Sequence, residues 1–167
     1  MRAVLSLASI LAFSACAQAA PPGAGPSAPV MPPLSASDTI EMCLYRERGE
    51  GDPGQCVLEY SGNCIALAGE LPTAAHRLPC YQAEMQAWDE RMEAGLARLA
   101  PAMSVERRAL LQQSQTAWSE AMQLDCAYMA SFHSHEPLAE AQAAECQTRR
   151  TAERALLLTQ WVQAYTR

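Results

Sequence analysis

Six cysteines behind an export segment constrain this chain more than any other feature. Cys43, Cys56, Cys64, Cys80, Cys126 and Cys146 follow an N-terminus with a positive start at Arg2, an apolar run from Ala3 to Phe13, and the small-x-small site Ala17-Gln18-Ala19. That pattern reads as a signal peptide over residues 1–19, cleaved before Ala20. Cys16, preceded by Phe13-Ser14-Ala15, offers an alternative in which the chain is acylated there and anchored to a membrane. Phe stands where a lipid-attachment motif usually has Leu, so soluble export to the periplasm is the preferred reading. Both routes leave six cysteines, and an even number in an exported chain reads as three disulfides. No cysteine pair has zinc-knuckle spacing, and no C-x-x-C is present for thiol exchange or haem attachment. The cysteines therefore predict a scaffold.

Half of the 167 residues are hydrophobic, rich in Ala and Leu and poor in β-branched types, which favours helix over strand. The length suits one domain. Net charge is -6, and all 12 basic residues are Arg. Without lysine there is no Schiff-base chemistry. Without a basic stripe interleaved with aromatics there is no footprint for nucleic acid. An acidic surface suits a cationic partner, and it also simply keeps an exported protein soluble. The apolar N-terminal run is too short for a transmembrane helix, and no later one is long enough.

Residues 20–34 hold six of the eleven prolines among Gly and Ser, which predicts an extended, disordered linker. The folded domain is expected over residues 35–167. Ser37 or Asp38 is positioned to cap a short helix through Ile40, Met42, Cys43 and Leu44. Gly49 to Gly54 reads as a turn. A second helix is expected over Cys56 to Ala68, with Cys56, Tyr60, Cys64 and Leu67 on one stripe. Leu71-Pro72-Thr73 breaks the chain. From Cys80, the residues Tyr81, Met85, Trp88, Met92, Leu96 and Leu99 recur every three or four positions, with Glu84, Asp89, Glu90, Arg91 and Glu93 as the polar side. Pro101 ends that helix and Ser104 caps the next, whose seam is Leu111, Trp118, Met122 and Met129, flanked by Ala117, Ala121, Leu124 and Tyr128. His133 to Pro137 makes a turn, and a last helix runs from Leu138 to about Tyr165. The expected fold is an all-α, disulfide-stapled antiparallel bundle of four to five helices.

Two antiparallel helices with a cysteine near the end of one and another within the next can be joined as Cys126–Cys146. Closing that loop stabilises by about 3 kcal/mol on the chain-entropy model. On one continuous helix Cys56 and Cys64 would lie about 12 Å apart, beyond the roughly 7 Å limit for a disulfide. Two connectivities then survive for the rest. One is Cys43–Cys56 with Cys64–Cys80; the other is Cys43–Cys64 with Cys56–Cys80. The first is preferred because both bonds join sequential elements.

Leu111-Gln112-Gln113-Ser114-Gln115-Thr116-Ala117-Trp118, with Cys126 eleven residues after Gln115, resembles the "L-x-x-x-Q-x-x-W … C" core of the LprI-like lysozyme inhibitor family. Cys146 with Thr151 and Arg154 is similar to that family's closing "C … T-x-x-R … L", and Cys80 with Asp89-Glu90-Arg91-Met92 to its earlier helix. The resemblance covers about residues 63–158. It departs at Met122-Gln123, where the family usually has Arg-Asp, and the region of Cys43 and Cys56 has no counterpart. The resemblance implies an exported helical protein that inhibits lysozyme in some members, and it transfers no inhibitory residue.

Other chemistry has little foothold. His133, His135 and Glu136 bring metal-ligand types together, with Glu140 as a further donor, but a polar solvated turn accounts for them equally. His76 reads as a surface histidine at a helix start. Asp89, Glu90 and Glu93 supply carboxylates of the kind glycosidases use, on what should be a solvated face. No G-x-S-x-G, P-loop or H-E-x-x-H occurs. Trp88, Trp118 and Trp161 read as core, with the option that one is an exposed anchor. The expectation is a binding protein without catalysis or cofactor, whose partner is lysozyme or another envelope protein. The alternatives are a periplasmic metal- or small-molecule-binding module using His133 and His135, and an envelope structural protein anchored through Cys16.

Overall fold

The computed structural model describes residues 34–69, 71–133 and 135–166. The expected signal peptide, Cys16 and all but the last residue of the Pro-rich linker lie outside them. Five helices follow in order: α1 (Ala36–Arg46), α2 (Glu59–Ala66), α3 (Ala74–Leu99), α4 (Val105–Ala130) and α5 (Glu136–Tyr165). Short 3-10 turns at Pro53–Cys56 and Ala100–Ala102 punctuate them. No strand occurs among the described residues, and no helix there is long and apolar enough to cross a membrane.

Local chemistry sets the boundaries. α1 begins one residue after Ser35, whose hydroxyl oxygen accepts from Asp38 N–H at 3.1 Å, so the cap is Ser35 and not Ser37 or Asp38. α3 starts earlier than the Cys80 pattern suggests. Thr73 and His76 form a capping box there, and the helix carries Pro79 in its second turn. Ser104 caps α4 as expected, and the Arg108 guanidinium donates to the Ala100 and Met103 carbonyls at 3.2 Å each, closing the turn behind it.

α3 and α5 form the central pair. The core joins Trp88, Met92 and Leu99 of α3 to Ala152, Ala155 and Leu158 of α5, with Ile40 of α1 against them. The Leu156-Leu157-Leu158 ambiguity resolves in favour of Leu158, which is fully buried while its two neighbours are half-buried. Nearer the other end, the Tyr81 hydroxyl donates to Glu145 at 3.0 Å and Thr148 donates to the Tyr81 carbonyl at 3.0 Å. Burial, and then the bond to Glu145, push the Tyr81 phenol up to about 12.

Three disulfides attach the outer pieces: Cys43–Cys56 joins α1 to the first 3-10 turn, Cys64–Cys80 joins α2 to α3, and Cys126–Cys146 joins α4 to α5. Their Cα separations are 5.6, 5.8 and 5.5 Å. The preferred connectivity is the one present, although the helix used to exclude Cys56–Cys64 is not continuous. Cys56 ends the 3-10 turn, and Leu58 enters the left-handed region at φ 68° before α2 begins. A bulky residue at positive φ is strained, so something must hold it there.

Glu84 does so, and it corrects the expected solvated face. It is fully buried, and its carboxyl oxygens accept four hydrogen bonds: from Leu58 N–H at 2.7 Å, Ser61 N–H at 2.7 Å, Ser61 Oγ at 2.6 Å and Trp88 Nε1 at 3.0 Å. A side chain of α3 thus caps the N-terminus of α2, satisfying donors that a helix start leaves free. Glu84→Ala should orphan these donors and lower unfolding free energy by about 3 kcal/mol or more, with Glu84→Gln intermediate, as read from urea denaturation. The Tyr81 shift gives a second expectation. A folded pKa raised above 10 contributes stability that is complete below pH 10 and is lost as pH rises towards 12. Wild type compared with Tyr81→Phe across that window checks it.

Candidate functional site: the α4–α5 seam and its surface

The residues of the sequence motif converge on the seam between α4 and α5. Gln115 and Trp118 stand on α4, and Arg154 faces them from α5. Arg154 is 9% exposed, yet no carboxylate lies within ion-pair distance of it among the described residues. Its guanidinium is instead stacked between two indoles, 5.8 Å from the Trp118 ring centroid and 5.4 Å from that of Trp161. Its Nε donates to Gln115 Oε1 and its Nη2 donates to Ser114 Oγ at 2.9 Å. Burial lowers the pKa of Arg154 from its ordinary value. Two aromatic faces and two neutral acceptors therefore do the work that a counter-ion usually does.

This polar clasp is continuous with the rest of the seam. Gln115 Nε2 lies 3.6 Å from Met92 Sδ, tying α4 to α3. Thr151 Oγ1 lies 3.8 Å from Met122 Sδ, at the position where this chain departs from the Arg-Asp pattern. Cys126, the one α4 residue that is fully buried, closes the far end through Cys146. Above the seam a shallow groove of about 300 Å³ opens between Trp118, Met122, Arg150 and Leu157. Its Arg150 is already engaged by Asp125 at 3.4 Å and Glu153 at 3.5 Å. Asp125 and Glu153 line the groove as well, so its two carboxylates are those already held by Arg150.

Other sequence candidates are dispersed. Asp89, Glu90 and Glu93 are exposed on α3, as expected of a solvated face. His133 is exposed after α4, His135 is the exposed N-cap of α5, and His76 caps α3. The α4 seam is narrower than its pattern: Leu111, Trp118 and Met122 are half-buried, Met129 is 44% exposed, and Ala117, Ala121, Leu124 and Tyr128 are exposed. Trp88 is core, whereas Trp118 and Trp161 are half-buried around Arg154. Neither the burial of Glu84 nor the indole stack is evident from the residues alone. An Arg with one Trp seven residues further along its own helix and another on the preceding helix was the available signal for the stack.

Fold and seam define a class: a small helical bundle, cross-linked by three cystines, built to present surfaces. The family model "Lysozyme inhibitor LprI" matches residues 64–158, which run from α2 to the core end of α5 and make up more than half of the chain. The chain belongs to the LprI lysozyme inhibitor family. No curated protein matches it. No solved structure matches it either. Membership and the three cystines together indicate a protein of an extracytoplasmic compartment.

The clasp yields a mutational expectation. Arg154→Ala removes two cation–π contacts and two hydrogen bonds from a charged donor, and should destabilise by about 3 kcal/mol. Chemical denaturation followed by tryptophan fluorescence measures this directly, because Trp118 and Trp161 flank the altered site.

Proposed function

We propose that this protein is a periplasmic inhibitor of a lysozyme-type muramidase, acting by protein–protein contact and carrying out no catalysis of its own. Membership of the LprI family over residues 64–158 is the observation that carries this reading. The physical chemistry agrees with it. Muramidases cut with a pair of carboxylates set in an open cleft, which a rigid protein can cover. Rigidity matters because ordering loops at an interface consumes binding energy, and here cystines hold α1, α2 and α4 in place before any encounter. A chain of net charge -6 is also steered towards a cationic lysozyme.

Purified oxidised protein, added to several cationic lysozymes acting on cell walls, should slow turnover at near-stoichiometric ratios. Inhibition should weaken as salt is raised through about 0.15 M, where the screening length falls to roughly 8 Å. Undiminished turnover at large molar excess against every lysozyme tried would overturn the proposal.

A further inference from the structure

The outer face of α4 is unpartnered in the single chain. Along α4, Leu110, Ala117, Ala121, Leu124 and Tyr128 form one exposed stripe, with Leu110, Leu124 and Tyr128 exposed by 63, 73 and 66%; Leu110 and Ala121 border the grooves where α4 meets α5. Their spacing of seven, four, three and four keeps them in line along the helix. A contiguous apolar stripe of this kind marks an interaction surface.

We infer that this stripe pairs with the same stripe of a second copy of the chain, helix against helix and antiparallel, about a two-fold axis at Ala117. The sequence of α4 is self-complementary about that residue. Leu110 and Leu124 stand seven positions to either side, so each leucine of one copy meets the other leucine of its partner. Ala117 at the axis, with Ala121 beside it, lets the two backbones approach closely. Arg107 and Asp125 are 18 residues apart, five full turns, and so share one flank of the helix. They lie about 15 Å and about 12 Å from the axis at 1.5 Å per residue. In an antiparallel pair like flanks face each other, so Arg107 of each copy comes opposite Asp125 of the other, offset by about 3 Å. Arg107 has no acidic partner within its own chain among the described residues, and Asp125, which meets Arg150 of its own chain at 3.4 Å, keeps its side chain 59% exposed and so can accept from a second guanidinium. Glu106 and Tyr128 each stand eleven positions from Ala117, bringing a carboxylate against a phenol hydroxyl. The charge pattern thus selects a second copy over an unrelated apolar surface.

A contact confined to one helix falls at the small end of specific interfaces, below about 1,200 Å² in total. Association should accordingly depend on concentration. Sedimentation of the exported, oxidised chain from micromolar to millimolar concentration should show a rise from one-chain to two-chain mass. Leu124→Glu should remain at one-chain mass throughout, whereas Leu71→Glu, a still more exposed apolar position outside the stripe, should dimerise like wild type. Under oxidation Ala117→Cys should yield a covalent dimer, and Leu110→Cys and Leu124→Cys should cross-link when mixed but not singly. One-chain mass for wild type across the range overturns the inference, as does a Leu124→Glu chain that still dimerises. A monomeric wild type whose Leu124→Glu variant loses muramidase inhibition also overturns it, assigning the stripe to the muramidase. Dimerisation without inhibition supports it and counts against the proposed function alone.

Discussion

The close approach of α3 to α5 is the constraint on which the rest of this structure depends. A methyl group at Gly95 would lie 3.3 Å from the Leu158 side chain, so the two helices meet where α3 has no side chain to separate them. On either side of that point large residues of α3, Trp88, Met92 and Leu99, fit against the small Ala152 and Ala155 of α5. Alternation of large and small side chains brings a helix pair to the density of a protein interior. Every other element is laid onto this pair.

The outer elements have less to bury, and covalent or polar links hold them. α2 spans only eight residues, too few for a stable helix by itself, and it is held by Cys64–Cys80 and by the buried Glu84 carboxyl at its N-terminus. α1 is tied back by Cys43–Cys56. α4 is long, but it buries a single residue completely, and that residue is one half of Cys126–Cys146. The same economy leaves most of α4 facing outward. A helix that contributes little to the core is free to contribute a surface, and the Trp118–Arg154–Trp161 stack fixes its orientation on α5.

Much of this was legible from the residues. The all-α class followed from Ala and Leu content and from three- and four-residue periodicity, and the cystine framework followed from an even set of cysteines behind an expected export signal. The family was legible at Gln115, Trp118, Cys126, Cys146 and Arg154, because those positions form one seam. What failed did so for identifiable reasons. Glu84 was assigned to solvent because a charged residue on an amphipathic helix is ordinarily exposed, and its four donors come partly from a segment 23 to 26 residues earlier. The break at Leu58 was missed because an αL conformation at a leucine has no local sequence signal. Ala117, Ala121, Leu124 and Tyr128 were placed beside a buried seam because periodicity identifies an apolar stripe without saying whether anything covers it.

If α3 and α5 carry the fold while cystines retain the periphery, the two parts should respond differently to loss of the sulfur bonds. Native-state hydrogen exchange on the oxidised protein, before and after mild reduction, separates them. Amides in α3 and α5 are predicted to keep most of their protection in the reduced protein, while those of α1, α2 and α4 lose theirs. Uniform loss across all five helices, or protection of α4 undiminished without Cys126–Cys146, would contradict this account.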